Sequence, residues 1–144
     1  MSVKTPSEVP AADDHTRRAH PYAQSNLIDG MMHALHGVKH VFEHERNARV
    51  HLAFAVLAFL LGVMLRLSGA ELAAVFFAVI LVFLAEIFNT AIERTLDLID
   101  MEENPRIKLI KDMAAGAVLV AAAAAALIGA AIFAPHVVEM LWAN

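Results

Sequence analysis

The chain has 144 residues, of which 59% are hydrophobic and 18% charged, with a formal charge of −4 and no cysteine. So apolar a composition does not suit a soluble domain of this length, and a small integral membrane protein is the simplest class. The lack of cysteine excludes a disulfide scaffold, a thiolate zinc site and a cysteine nucleophile.

Residues 1–25 hold three prolines and scattered charge but no apolar core, which predicts a disordered cytoplasmic tail. They lack the hydrophobic central region of a signal peptide. Residues 26–48 interleave Leu27, Ile28, Met31, Met32, Leu35, Val38, Val41 and Phe42 with His, Lys and Glu, a spacing that predicts an amphipathic helix lying on the membrane surface. Along it His33, His36, His40 and His44 form a stripe. Imidazoles at i, i+4 can bind zinc or nickel, but no thiolate is near, and the stripe reads better as an interfacial or nucleotide-facing surface.

Three apolar runs follow at 52–65, 72–85 and 113–134, predicting transmembrane helices at about 49–67, 71–99 and 108–135 within one membrane domain, 26–144. Only the third run reaches the ~20 apolar residues of a lone spanning helix, so the first two must hide polar ends in a bundle or at the interface. Leu67-Ser68-Gly69-Ala70 predicts a short outer turn, and Asn104-Pro105 breaks the chain on the inside. The alanine tract at 121–126 is a packing face for a neighbouring helix. The expected fold is therefore an all-α membrane protein with a surface helix and three transmembrane helices.

Basic residues orient it. Of the eleven Lys and Arg, Lys4, Arg17, Arg18, Lys39, Arg46 and Arg49 precede the first run, while Arg94, Arg106, Lys108 and Lys111 lie between the second and third. Arg66 alone separates the first two runs and none follows the third. The positive-inside rule puts the N-terminus and the 97–110 connection in the cytoplasm and the C-terminus outside.

Glu86, Asn89, Glu93 and Asp97 stand at helical spacing directly after the second run, within an arc of roughly 80°. At about 1.5 Å per residue from Glu71, Glu86 lies roughly 22 Å and Glu93 roughly 33 Å along the helix, at the inner edge of a hydrocarbon core of about 30 Å. Ionisable groups there are costly and mark function by default. An isolated Asn89 would read as interhelical glue. Three carboxylates on one stripe repel unless a cation joins them, which points to chemistry.

The blocks Glu86-Ile87-Phe88-Asn89-Thr90-Ala91-Ile92-Glu93 with Asp97, and Lys111-Asp112-Met113-Ala114-Ala115-Gly116-Ala117-Val118-Leu119, resemble the signatures of the small bacterial membrane kinases of diacylglycerol and undecaprenol. Gly37, then Glu45-Arg46-Asn47 and Arg49-Val50-His51, resemble that family's third block. The resemblance covers about residues 27–135. It implies a homotrimer with active sites between subunits, which two short, polar-ended spans make plausible. It also implies phosphorylation of a membrane lipid alcohol by ATP with Mg2+, in the bacterial cytoplasmic membrane and without a nucleic-acid partner.

The side chains suit that chemistry. Phosphoryl transfer asks for positioning and charge neutralisation, and magnesium takes hard oxygens from one or two carboxylates plus phosphates. Glu45 and Glu93, both expected at the cytoplasmic interface, fit as metal ligands, and the resemblance gives them that role. Glu86 is deeper, where low dielectric strengthens it as proton acceptor, so it is the expected general base, with Asn89 orienting it or the substrate. Lys111 and Asp112 would supply a phosphate-neutralising cation and a carboxylate. By resemblance Asp97, Glu102, Glu103 and Asn104 contact nucleotide. There is no GxxxxGK[ST] loop, so any ATP site is built from helix-borne side chains.

Arg46 and Arg49 suit headgroup anchoring as well as a catalytic role, and Lys108 is a further positive-inside residue. Arg49 with His51 resembles the undecaprenol branch more than the diacylglycerol branch and tilts the substrate towards the polyprenol. One departure stands out: family members carry a basic nucleotide contact in the early surface helix, whereas 26–30 holds Asp29 and no Lys or Arg. That contact is taken over by Arg17 or Arg18, or it is missing. The competing class, a small proton-coupled transporter, also uses a membrane Glu but has no reason to cluster Glu45, Glu93, Asp97, Lys111 and Asp112 on one side.

Overall fold

The computed structural model describes residues 26–99 and 104–142. Within them the chain forms four α-helices: α1 Leu27–His44, α2 Arg46–Met64, α3 Gly69–Ile99 and α4 Pro105–Trp142. It divides into two units, Met1–Ala34 and Leu35–Asn144. The predicted tail at 1–25 lies outside the described residues. The helices α2, α3 and α4 are each long and apolar enough to cross a bilayer. Their outward faces carry large bare side chains, with Phe77 70% and Phe88 66% exposed, a surface that water would penalise and hydrocarbon would not.

Local chemistry sets the helix ends. Ser68 and Glu71 close a capping box at the start of α3: Ser68 Oγ accepts the Glu71 N–H at 3.3 Å, and Glu71 Oε2 accepts the Ser68 N–H at 2.7 Å. At α4, Asn104 Oδ1 accepts the Arg106 N–H at 3.0 Å, and Pro105 takes the first helical position, where a missing N–H costs nothing. The end of α2 is a Schellman turn in which Leu67 N–H donates to Gly62 O at 2.9 Å and Arg66 N–H to Val63 O at 3.2 Å. Gly62 is closely packed there: a Cβ would come within 2.9 Å of Leu72 Cδ2 and 3.2 Å of Leu67 Cδ1, so those leucine side chains would have to shift.

Arg66 holds the left-handed position of that turn, with φ 55°, which glycine occupies without the Cβ clash. Arg66→Gly is expected to stabilise the protein by about 1 kcal/mol. Denaturant unfolding in detergent should show a higher midpoint; an unchanged or lower one would mean the arginine side chain repays its backbone strain.

Packing within the second unit centres on α3, which lies mainly along α4 and less extensively along α2. Val75, Ala78 and Val82 of α3 are buried, as are Ala114, Val118 and Ala121 of α4 and Ala48, Ala55 and Gly62 of α2. Mostly small side chains on these faces let the backbones approach closely, the usual basis of helix association where lipid removes the hydrophobic drive. Edge-on aromatic pairs add to this, Phe42 with Phe83 at 5.2 Å and Phe59 with Phe76 at 6.2 Å between ring centroids. Continued by one helical period after another, the buried stripe 75, 78, 82 on α3 arrives at Glu86 and Asn89. The packing face of the membrane helix thus becomes the polar face.

Candidate active site

Glu86 is 2% and Asn89 7% exposed, yet Glu86 Oε2 and Asn89 Oδ1 have no hydrogen-bond partner. An unpaired buried polar atom costs about 1–3 kcal/mol, more when charged, so two acceptors left together mark a place built to receive a donor or a cation. Asn89 is held in one orientation, because its Nδ2 donates to Glu93 Oε1 at 3.1 Å, one turn along the helix. That bond commits the amide end to Glu93 and leaves the carbonyl end for the site.

Glu45 comes to the same place from the other side of the fold. It is the single residue between α1 and α2, in extended conformation with φ −93° and ψ 121°, and as the N-cap of α2 its side chain makes no capping hydrogen bond. Instead Glu45 Oε1 accepts from Arg94 Nη2 of α3 at 3.1 Å. Glu45, Glu93 and His51 all lie close enough to Glu86 to act on its charge. The break that delivers Glu45 is braced by Arg49, whose Nη1 donates to Glu43 O at 2.8 Å and Phe42 O at 3.5 Å, satisfying carbonyls at the end of α1.

A second group sits one turn further along α3. Asp97 Oδ1 pairs with Lys111 Nζ of α4 at 2.5 Å, bridging the start of α4 to the end of α3, while Asp112 Oδ2 pairs with Lys108 Nζ at 2.9 Å on α4 itself. The predicted site residues therefore fall into an inner set, Glu45, His51, Glu86, Asn89 and Glu93, and an outer set, Asp97, Lys111 and Asp112, with Asn104 at the cap of α4. Glu102, Glu103, Arg17 and Arg18 lie outside the described residues. Arg94 is the member that sequence reasoning missed: it counted only as one more cytoplasmic cation, and nothing local to 94 signals a partner 49 positions away.

The donor set suits a hard cation. Around Glu86 the free acceptors are oxygens of carboxylates and an amide; among the described residues no three His, Asp or Glu side chains form a metal cage. Magnesium rarely uses such a cage, taking one or two carboxylates and completing its shell with water and substrate phosphate. In the histidine stripe, the rings of His40 and His44 stack at 4.1 Å, and His44 Nδ1 lies 3.0 Å from His40 O.

Beside the inner set runs an apolar cleft of about 410 Å³, walled by Val50, His51 and Phe54 of α2, Val82 and Phe83 of α3 and Phe133 of α4, among others. Its wall carries His51, the same residue that acts on Glu86. Apart from His51 the lining is apolar, a surface that suits hydrocarbon.

Comparisons with known proteins place the chain in a family. The family profile of prokaryotic diacylglycerol kinase matches residues 32–133. An undecaprenol kinase from Bacillus subtilis (strain 168) is 37% identical over 111 residues, covering 77% of this chain and 90% of its own length. A diacylglycerol kinase from Synechocystis sp. is 30% identical over 142 residues, covering 98% of this chain and 81% of its own length. No solved structure gives a significant match.

Proposed function

The chain belongs to the prokaryotic diacylglycerol kinase family and is a lipid kinase, and we propose that it transfers the terminal phosphoryl group of ATP to the hydroxyl of a membrane lipid alcohol, undecaprenol in preference to diacylglycerol. The observation that carries this reading is the pair of buried acceptors, Glu86 Oε2 and Asn89 Oδ1, that find no hydrogen-bond partner among the described residues. A hydroxyl group supplies the donor they lack.

In this reaction the lipid oxygen forms a bond to the terminal phosphorus, the bond from that phosphorus to the bridging oxygen of ADP breaks, and the hydroxyl proton passes to Glu86. Asn89, locked by Glu93, holds its carbonyl towards the acceptor and fixes its angle of approach. The acceptor's chain lies in the apolar cleft, with His51 and the Arg49 segment near its polar end. Glu45 and Glu93 would hold Mg2+, which neutralises phosphate charge when bound. Three carboxylates against one guanidinium leave the inner set doubly negative, a match for one divalent cation. Asp97, Lys111 and Asp112, with Glu102, Glu103 and Asn104, take the nucleotide; Lys111 contributes the positive charge.

The wider setting follows from the same chemistry. A water-soluble phosphate donor meets an oil-soluble alcohol at an interface, so the site belongs at the cytoplasmic face of the inner membrane, with the N-terminus inside, the C-terminus outside and the early part of α1 on the surface. Homotrimer formation covers the apolar faces that a single copy leaves bare. The preference for undecaprenol rests on His51 following Arg49, and the identity to the Bacillus subtilis undecaprenol kinase supports it.

Purified protein in lipid, given labelled ATP and magnesium with either undecaprenol or diacylglycerol, tests the proposal. Label is expected in the polyprenyl phosphate, and more slowly in phosphatidic acid. Label confined to ATP and free phosphate with both lipids would overturn it.

A further inference from the structure

The ion pair between Arg94 and Glu45 is difficult to explain as a stabilising brace. Its side chains are 58% and 25% exposed, and pairs so open contribute about 0–1 kcal/mol. Glu45 is the N-cap residue of α2 but makes no capping hydrogen bond, so its carboxylate is engaged by Arg94 and not by the helix it starts. The pair also joins α3 to the junction of α1 and α2, and Glu86, the most buried carboxylate among the described residues, lies on the same helix as Arg94. Lys111 and Lys108 pair with Asp97 and Asp112, whereas Arg94 pairs with Glu45.

We propose that Arg94 is the counter-ion that Glu45 exchanges for the divalent cation, and that the exchange turns the guanidinium towards the phosphates of the nucleotide. The inference rests on the reading of Glu45 and Glu93 as magnesium ligands. Its physical basis is that Glu45 Oε1, which Arg94 Nη2 engages, is one of the oxygens a divalent cation would claim. Guanidinium and metal then compete for the same charge. A guanidinium has five N–H donors and this pair is a single contact between Nη2 and Oε1, so the rest of the fork is available to phosphate oxygens, which it matches in shape. A lysine would neutralise Glu45 as well but would lack the bidentate phosphate contact.

The competition gives a result whose sign a structural brace does not share. Binding of Mn2+, as a paramagnetic substitute for magnesium, is measured by electron paramagnetic resonance on the full-length protein in detergent without nucleotide. Arg94→Ala is expected to bind Mn2+ about 3- to 10-fold more tightly than the unmodified protein, because a competing positive charge is gone. The same variant should need about 10-fold more ATP for half-maximal turnover with kcat within about 3-fold, since the phosphate contact is lost. Arg94→Lys should restore Mn2+ affinity to that of the unmodified protein while leaving the ATP requirement raised. If Arg94→Ala does not insert stably, Arg94→Gln carries the same expectations. Unchanged or weaker Mn2+ binding in the neutral variant, together with loss of binding in Glu45→Gln, would overturn the exchange and leave the metal assignment standing. Mn2+ binding in the unmodified protein that Glu45→Gln does not weaken would overturn the metal assignment itself, and the exchange with it.

Discussion

Glu86→Gln should lower the rate of lipid phosphorylation by about 10²- to 10⁴-fold, the range a positioned general base contributes, while the protein still folds, inserts and binds ATP. The substitution keeps the shape of the side chain and removes its capacity to take a proton. It also replaces the buried charge at Glu86 Oε2, which has no partner among the described residues, with a neutral amide. The variant is therefore expected to be at least as stable as the parent, since a buried carboxylate without a partner is a cost to folding. The measurements are turnover with saturating ATP and acceptor, and denaturant unfolding in the same detergent. Turnover within tenfold of the parent would remove Glu86 as the base; a large loss of stability alongside lost turnover would make it a structural residue.

The helical pattern was legible because membrane helices advertise themselves in composition. Three apolar runs separated by charged connections correspond to α2, α3 and α4, and the interleaved residues before them begin α1. The breaks were legible where their residues have strong backbone preferences: Ser68-Gly69-Ala70-Glu71 closes a capping box, and Asn104-Pro105 starts a helix. The boundary between the surface helix and the first transmembrane helix, expected at 48/49, falls at Glu45 instead, since glutamate has no marked preference for the N-cap that would mark the break locally. The apolar run that ends at 134 precedes a proline, a common stop signal, yet α4 continues through Pro135 to Trp142. Part of the reason is tertiary: His136 Nε2 lies 3.6 Å from Glu71 Oε1, a tie between the far end of α4 and the capping box of α3 that no local pattern encodes.

The candidate site divides along the same line. Glu86, Asn89, Glu93 and Asp97 are one helix face and could be grouped by spacing alone, since a single helix fixes their mutual geometry. Glu45, Arg94 and Arg49 depend on how the break after α1 is folded against α3, and that is a long-range outcome. Arg49 shows the difference. Its charge and position suggest a headgroup or substrate contact, and in the fold its Nη1 also donates to the carbonyls of Phe42 and Glu43. A substitution there would first loosen the junction that delivers Glu45, so any effect on lipid affinity would arrive together with an effect on metal.

Glu45→Gln and Glu93→Gln are each expected to lower kcat/KM for magnesium and ATP by about 10²- to 10³-fold, on the scale of other groups that neutralise charge developing in a reaction. Glutamine is the informative replacement at 93, because its amide oxygen can still accept the Asn89 Nδ2 bond at 3.1 Å, so charge is removed while the orientation of Asn89 is retained. At 45 the amide loses the attraction to Arg94, but that pair is open to solvent and adds little to stability, so the loss should again appear in metal handling and not in folding. If both carboxylates serve one cation, removing the second after the first costs little, because the cation site is already lost. The double variant should then fall within about tenfold of the weaker single variant, and raised magnesium should rescue each single variant more than the double. Penalties that multiply, with no dependence of the defect on magnesium, would mean that Glu45 and Glu93 act separately and that no shared ion joins α3 to the junction of α1 and α2.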